Sequence, residues 1–250
     1  MKLLVIVFFS ICCLYLGFFL KYYYYSNSSL TYNILQIHGE SFVPSILRER
    51  HIVVCNDWAR HISDEVYSTI YSQLQSLEEQ SMIQQDTSTV EMKDFFTQQQ
   101  DKTIPSNTSV FYNVQPIYFP SLRKNWIMQY DTSLLHFSSS DAISPFFQSF
   151  YDHWCILLLE GDLHVKVVHW YEIYQHIPSS TKTKHHFFHE MDVETMNNSS
   201  CKYIQIDLHS NQMLFIPHGF AFQIMGGSSF NVALHLRWFS GLTYLKNFFY

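Results

Sequence analysis

The chain has 250 residues, of which 47% are hydrophobic, 18% aromatic and 14% charged, and its formal net charge is −6. This mild acidity, together with the lack of a basic stripe interleaved with aromatic residues, argues against nucleic acid as a partner. Behind one apolar N-terminal segment about 220 residues remain, enough for a single domain with a substantial core. The 22 Phe and 17 Tyr residues favour a β-rich interior for that domain.

The N-terminal segment predicts a membrane anchor. Residues 3–20 form an uninterrupted apolar run between Lys2 and Lys21, close to the minimum length for crossing a bilayer. The four tyrosines that follow are typical of a membrane interface. A cleaved signal peptide is the alternative, but the residues after the run offer no convincing cleavage site of small residues.

We therefore expect a cytosolic tail over residues 1–2, a transmembrane signal-anchor over 3–21 and a polar connector over 22–38. A tail of this size is more easily left in the cytosol than carried across a membrane. The rest of the chain is then lumenal or extracellular, in the endomembrane system, at the cell surface or in a viral envelope. Potential N-glycosylation acceptors support this orientation. They are Asn27, Asn107, Asn197 and Asn198.

Three of the five cysteines, Cys55, Cys155 and Cys201, lie outside the expected anchor. They allow at most one intramolecular disulfide, and the sequence does not identify the pair. Cys55 and Cys155 sit in apolar, strand-like runs. We expect these two to be buried thiols.

In chain order, residues 39–58 begin the folded domain and include the strand-like apolar run around Cys55. Residues 64–79 predict an amphipathic helix, because apolar residues recur at helical spacing behind Ser63, a suitable N-cap. A further strand is expected at 126–130. Residues 176–200 form a polar insertion.

Two strands are predicted on either side of a short turn in the second half of the chain. Residues 154–159 and 165–170 are apolar runs, and Gly161 lies in the turn between them. This pattern predicts a β-hairpin.

The region at 213–238 predicts three strands. Apolar runs at 213–216, 220–225 and 230–238 are separated first by Pro217 and the residues after it, and then by a Gly/Ser turn. Strands of this length bounded by Pro and Gly predict an antiparallel β-meander.

Within this region, LFIPHGFAFQI at 214–224 resembles the closing strands of the JmjC/cupin-like barrel of 2-oxoglutarate-dependent oxygenases. That family commonly reads (L/V)-(Y/F)-I-P-x-G-W-W-H-x-(V/I). Residues 39–58, 90–100 and 110–126 resemble earlier family segments in the same order, 90–100 as a helix.

The resemblance implies a mainly β fold with flanking helices, a JmjC/cupin-like double-stranded β-helix, or jelly-roll barrel. The domain would span 39–250, with a helical lead-in at 39–125 and the barrel at 126–240.

Active members of this family hold Fe(II) with an HxD motif and a distal His. In this chain the position of the distal His is Phe222, and counting back from Gly161 places the HxD pair at Gln148 and Phe150. None of these side chains is a ligand for Fe(II). The resemblance therefore implies a degenerate family member with no catalytic residue, no metal and no cofactor.

A second register of the HxD motif, counted from Pro145, places it at Phe147 and Ser149 instead. It contains no His or carboxylate either. The Lys that some members use to bind 2-oxoglutarate is replaced by Leu163.

A relocated metal site is the alternative, since the chain has 14 His residues. The densest group lies at 185–192, within the polar insertion, and is expected to be a solvated loop. Four other residues are the fallback metal candidates: His153, His164, His209 and His218. We expect His153 and His209 at the surface or barrel rim, and His218 in a loop.

Three functions follow as hypotheses. The first is a catalytically inactive binding or structural module, anchored in a membrane and recognising a protein or glycan partner. The second is an active Fe(II)/2-oxoglutarate-dependent hydroxylase with relocated ligands, and the third is a lectin-like glycan binder. The Asn/Ser/Tyr/Phe-rich composition and the single short anchor also suggest a viral origin.

Overall fold

A computed structural model describes the chain over fourteen stretches. These are residues 2–26, 32–43, 45–46, 51–58, 72, 82–85, 88–91, 109–114, 129–144, 146–148, 153–169, 172, 202–228 and 230–240.

The described residues form one long helix, a short 3-10 helix and thirteen strands. The helix α1 is Lys2–Ser26, and the 3-10 helix is Gly39–Ser41. The strands are β1 (Ile34–His38), β2 (Ile52–Asn56), β3 (Met82–Gln85), β4 (Ser88–Glu91), β5 (Ser109–Val114), β6 (Gln129–Ser138), β7 (Phe147–Gln148), β8 (His153–Glu160), β9 (Asp162–His169), β10 (Ile204–His209), β11 (Met213–Pro217), β12 (Phe220–Gly226) and β13 (Asn231–Ser240).

The strands form two main sheets. A seven-stranded sheet has the order β1-β2-β11-β8-β13-β6-β5, and a four-stranded sheet has the order β10-β9-β12-β7, while β3 and β4 pair only with each other. Of the eight consecutive strands from β6 to β13, four belong to each main sheet. Eight strands shared in this way between two packed sheets form a jelly roll. The predicted mainly β fold is confirmed.

The two strands on either side of each predicted turn belong to different sheets and do not pair with each other. β8 pairs with β11 and β13, whereas β9 pairs with β10 and β12. The predicted hairpin at 154–170 and the meander at 213–238 are therefore wrong, although their strands are present. The turns contain Gly161 and Gly219, with φ of 86° and 94°. A tight turn of this kind can join strands of one sheet or of two, so its sequence does not distinguish a hairpin from a corner.

The jelly roll buries two apolar layers. One lies between the two main sheets and includes Ile156, Val165 and Phe222. The other covers the opposite face of the seven-stranded sheet, where Trp58 and Phe215 pack edge to face with ring centroids 5.7 Å apart. Side chains alternate between the faces of a strand, so the strands of the larger sheet contribute to both layers.

Asn231 joins three strand ends at one end of the jelly roll. Its side-chain oxygen accepts from the backbone N–H of Asp162 at 2.9 Å and of Ser228 at 3.3 Å. Its amide donates to the carbonyls of Ser138 at 3.1 Å and Ser228 at 2.9 Å. A Cβ on Gly161 would overlap the Asn231 side chain, so a glycine is required beside it.

The N-terminal half of the domain differs from the prediction in its strand content. Its described residues include β2 to β5, within the expected helical lead-in at 39–125. β1 lies within the expected polar connector and pairs in parallel with β2. At five residues, β1 is too short for its alternation to stand out from a polar stretch.

Several predicted features lie outside the described residues. They are the helix at 64–79 apart from residue 72, the helix-like segment at 92–100, the insertion at 176–200, residues 126–128 of the expected strand at 126–130, and the acceptors Asn27, Asn107, Asn197 and Asn198. The rest of that expected strand belongs to β6, which runs on to Ser138.

The helix α1 exposes apolar side chains along its length, from Val5 at 56% and Phe9 at 68% to Leu20 at 56%. Within the described part of the chain, no helix qualifies by length and apolar character as a membrane span. Cys12 and Cys13 are exposed on α1, whereas Cys55 and Cys155 are buried thiols, as predicted.

Candidate functional site

An aromatic cluster fills the space between the two sheets. Phe147 on β7 pairs with Phe222 on β12, and their ring centroids are 5.4 Å apart. The indole of Trp154 on β8 meets the Phe222 ring edge to face at 4.8 Å and the Phe147 ring at 5.5 Å. All three side chains are at most 4% exposed. The four-stranded sheet is thus joined to the seven-stranded one by ring contacts.

Of the two predicted registers of the HxD motif, the second places its first residue in this cluster. Phe147 is buried against Phe222, whereas Gln148 lies next to it in the strand and pairs with Ala221. Phe150, from the first register, lies outside the described residues.

The residues at these positions do not fit an Fe(II) centre. A phenyl ring offers no nitrogen or oxygen donor. The resemblance expects imidazoles at Phe222 and at the first HxD residue, which is Gln148 in the first register and Phe147 in the second. No group of three or more His, Cys, Asp or Glu side chains in the described residues is arranged to hold a metal ion.

Two of the fallback candidates lie on the outer face of the four-stranded sheet. His164 donates from Nδ1 to Oδ1 of Asp207 at 2.6 Å, and His209 donates from Nδ1 to Oδ1 of Asp162 at 2.7 Å. These hydrogen bonds are the largest cause of a lowered pKa at each aspartate. The four side chains are 38% to 66% exposed, so both pairs are solvated surface contacts.

The other two fallback candidates lie elsewhere. His218 is half-buried in the turn after β11, where a loop was predicted. His153 is the first residue of β8 and is only 7% exposed, so it is not a surface residue, while its position at the strand end fits the other expectation, the barrel rim. Its backbone pairs with Pro217 on one side and with Trp238 on the other, which places it in the middle of the larger sheet. The strand context, and not the residue type, decides its burial.

Two histidines that the sequence reasoning did not select lie in the interior. His136 on β6 and His235 on β13 are 1% and 0% exposed, with ring centroids 5.4 Å apart. The ring of His136 stacks on Phe111 at 4.2 Å and 2°. His136 Nε2 is 3.1 Å from the hydroxyl of Ser109.

The tautomer of His235 is determined by Trp154. The indole Nε1–H, which can only donate, donates to Nδ1 of His235 at 2.9 Å. A neutral His235 therefore carries its proton on Nε2. Within the described residues, no acceptor is in hydrogen-bond contact with this Nε2–H, and none contacts Nδ1 of His136. Both nitrogens are thus buried polar atoms with no hydrogen-bond partner among the described residues.

Both histidines are held neutral by their surroundings. Burial lowers the pKa of His136 from its ordinary value of 6.5 to about 3. Burial also lowers the pKa of His235, and repulsion from His136, whenever that ring is protonated, and from Arg237 lowers it further. Arg237 itself is 6% exposed, and its guanidinium lies 5.3 Å from the centroid of the Trp154 ring. The interior therefore combines one buried cation with two neutral imidazoles.

A sequence signal for these residues exists in β13. Ala233, His235 and Arg237 alternate with Leu234 and Leu236. Such alternation normally marks the polar residues as solvent-facing. In a strand covered on both faces the same pattern places them in the interior, and only the packing of both faces of β13 reveals this.

No family model matches the chain, and no curated protein sequence does. Similar solved structures include procruciferin, an 11S globulin from Brassica napus (15% identity, TM-score 0.28, 43% of this chain and 20% of that one). They also include the hydroquinone 1,2-dioxygenase of Sphingomonas sp. TTNP3 with 4-hydroxybenzoate bound (14%, 0.29, 44% and 60%) and the coconut allergen cocosin (15%, 0.28, 43% and 21%).

These neighbours have the cupin fold. The chain matches about a fifth of the length of the two seed proteins and 60% of the dioxygenase. The JmjC-like part of the resemblance stays a prediction.

Proposed function

We propose that this chain is a non-catalytic binding module, a degenerate JmjC/cupin-like protein held at a membrane by α1. The observation that carries the proposal is the ring pair of Phe147 and Phe222 in the barrel interior. Phe222 has the position of the distal His in the resemblance, and Phe147 has that of the first HxD residue in the second register, whereas the first register places Gln148 there.

The packing of these rings supports a structural role for them. Phe147, Trp154 and Phe222 contact one another and belong to the layer between the sheets. An iron centre at this place would need a polar ligand set and open coordination positions. Buried aromatic rings supply apolar packing instead, which stabilises a rigid scaffold for surface loops.

Iron loading tests this proposal. The full chain, purified in a mild detergent, is incubated anaerobically with Fe(II), desalted and assayed for metal content with and without 2-oxoglutarate. We expect no stoichiometric iron and no effect of 2-oxoglutarate. Stoichiometric iron that 2-oxoglutarate strengthens would overturn the proposal, and Ala variants of His153, His164, His209 and His218 would then locate the ligands.

The membrane part of the proposal is supported by α1. Its sequence contains the apolar run at 3–20 between Lys2 and Lys21. Its exposed apolar side chains have no described cover from the jelly roll. We place the remaining domain on the lumenal or extracellular side, where it would bind a protein or glycan partner.

Expression in a eukaryotic secretory system tests the anchor and the orientation together. We expect the chain to stay in the membrane pellet after alkaline carbonate extraction, and glycosidase treatment to increase its mobility. Asn107→Gln should remove one glycan if that acceptor is used, and a double Asn197→Gln/Asn198→Gln variant tests the other pair. Release by carbonate, or a chain with no glycan on any acceptor, would contradict the membrane assignment or the orientation respectively.

A further inference from the structure

Tyr32 ties the chain that follows α1 to one end of the four-stranded sheet. Its hydroxyl donates to the carbonyl of Lys202 at 2.6 Å and accepts from the backbone N–H of His169 at 3.1 Å. Its ring packs on Phe220, with ring centroids 6.2 Å apart. Lys202 precedes β10, His169 ends β9 and Phe220 begins β12. One side chain therefore joins the ends of three adjacent strands.

The same end of the jelly roll includes strand ends of the larger sheet. β1 begins two residues after Tyr32, and its first residue, Ile34, pairs with Ile52, the first residue of β2. Pro217, at the end of β11, pairs with His153, at the start of β8, and β12 begins three residues later in the chain. We call this the near end, since the chain enters the jelly roll here from α1.

The far end is the opposite one, where β1, β2, β8, β10 and β12 finish. It includes the hydrogen bonds of Asn231 described above. Its described residues include five carboxylates and no Lys or Arg. The carboxylates are those of Glu40, Asp57, Asp141, Glu160 and Asp162. The far end is therefore acidic.

The connection between α1 and the near end is short. α1 ends at Ser26, directly after the four tyrosines expected at a membrane interface. The six residues from there to Tyr32 span at most about 22 Å when fully extended. The ten residues of β13 indicate that the two ends of the jelly roll are about 30 Å apart. An inverted jelly roll would hold Tyr32 farther from the membrane than this connection reaches.

The charged and aromatic side chains favour the same orientation. Lys202 is exposed at the near end, and the ammonium of Lys166 lies 5.3 Å from the centroid of the Tyr203 ring. Ammonium groups bind the phosphates of lipid headgroups, whereas carboxylates such as those of the far end are repelled by them. Tyr203 is 51% exposed, and tyrosine is enriched at membrane–water interfaces.

We propose that the near end of the jelly roll is a lipid-facing surface, with Lys202 and Tyr203 towards the headgroups and the acidic far end projecting from the membrane. The inference rests on the proposed function in one respect, the anchoring of the chain by α1. It deepens that function because it leaves the far end as the surface at which a protein or glycan partner is met.

Spin labels at the two ends of one strand test this orientation. A nitroxide is attached either at Tyr203→Cys, at the near end of β10, or at Ser210→Cys, just beyond its far end. Both positions are exposed, and they lie about 23 Å apart along the strand. Ser210→Cys is thus the matched control on the same element.

The labels require a background without other reactive thiols. Cys12→Ala, Cys13→Ala and Cys201→Ser remove three cysteines. Cys55 and Cys155 stay, because both are buried in the folded domain. Each labelled full chain is reconstituted in phosphatidylcholine vesicles that contain a minor fraction of a gadolinium-chelating lipid. Flotation of the vesicles shows that the chain is membrane-bound before spectra are recorded.

Paramagnetic relaxation by gadolinium falls steeply with distance. We expect the lipid-bound gadolinium to relax the label at position 203 at least about tenfold more than the label at position 210, because the two differ by about 23 Å in height above the lipids. Equal relaxation at the two positions, as for a jelly roll lying on its side, would overturn the inference. Stronger relaxation at position 210 would also overturn it.

A photoreactive lipid gives the same comparison without any substitution, so a labelled variant that fails to fold does not affect the result. Cross-links of a diazirine-bearing phosphatidylcholine to the parent chain should map to residues 202–204 and not to 209–212, and the reverse would contradict the proposed orientation. A chain that does not float with the vesicles would overturn the anchoring and this inference together. A floating chain with equal relaxation at both positions overturns the orientation alone, so the two failures are distinguishable.

Discussion

The indole N–H of Trp154 donates to Nδ1 of His235 at 2.9 Å, across the centre of the larger sheet. This single contact connects two neighbouring strands, β8 and β13, and also decides which nitrogen of the imidazole carries the proton. The polarity of the barrel interior therefore depends on a residue that itself belongs to the aromatic cluster.

The variant Trp154→Phe tests this dependence. It leaves Nδ1 of His235 without its donor, so the ring should populate both neutral tautomers, which the 15N shifts of the two nitrogens report. The lost hydrogen bond and the smaller ring should also lower the free energy of unfolding by about 1–3 kcal/mol. An unchanged Nε2–H tautomer in the variant would mean that other groups fix the ring.

The two buried histidines predict an acid-sensitive fold. The folded pKa of His136 is about 3 and that of His235 is also lowered, so the unfolded chain binds more protons than the folded one below about pH 6.5. The contribution of the neutral rings to the free energy of unfolding is thus fully present above that pH. It falls as the pH decreases, by up to about 1.4 kcal/mol per pH unit for each ring.

Urea unfolding at several pH values between 7 and 4 measures this slope. We expect His136→Phe, whose ring can still stack on Phe111, to reduce the slope by about 1.4 kcal/mol per pH unit, the contribution of one proton. His209→Gln, a change on the exposed outer face, is the control and should retain most of the slope. A slope that His136→Phe does not alter would show that other groups take up the protons.

The aromatic cluster predicts a large cost for truncating Phe222. This ring is fully buried against Phe147 and Trp154, so Phe222→Ala should lower the free energy of unfolding by about 3–5 kcal/mol. Val43 is 52% exposed, and Val43→Ala should change stability by less than about 0.5 kcal/mol. A small effect of Phe222→Ala in chemical denaturation would mean that the interior is loosely packed.

Asn231 predicts a second destabilising substitution, in which hydrogen bonds are lost and not ring packing. Asn231→Ala leaves the N–H of Asp162 and the carbonyl of Ser138 without their partner, at a cost of about 2–3 kcal/mol. Ser210→Ala removes one exposed hydroxyl contact to the carbonyl of Gly161 and should cost far less. Thermal unfolding of the two variants side by side checks the order, and equal Tm values would contradict it.

The strands of the barrel could largely be predicted from the sequence, whereas their pairing could not. Apolar runs bounded by Pro217 and Gly161 located β8, β9, β11 and β12, because strand formation depends on local pattern. Which sheet each strand joins depends on contacts between residues far apart in the chain, as between Phe215 on β11 and Cys155 on β8.

The candidate site was predicted only in part. Motif spacing found Phe222 and, in one register, Phe147, because these follow from the position of Pro and Gly residues. His235 was missed because it alternates with leucines in β13, a pattern whose polar residues are ordinarily solvent-exposed, and His136 was missed because it follows two leucines in β6 with no clear alternation. Their role as interior residues follows from burial by the second sheet, which no local pattern encodes.

The pairing of β6 with β13 has a consequence for how the chain is made. Gln129 on β6 pairs with Ser240 on β13. The edge of β6 that faces β13 therefore stays unpaired until β13, the last strand of the jelly roll, is in place. A ribosome must release the chain as far as Ser240 before the barrel can close. Until then the apolar faces of β8, β11 and β12 are open to solvent, and folding of so non-local a topology is slow. The nascent domain is therefore expected to depend on chaperones more than a hairpin-built barrel of the same size.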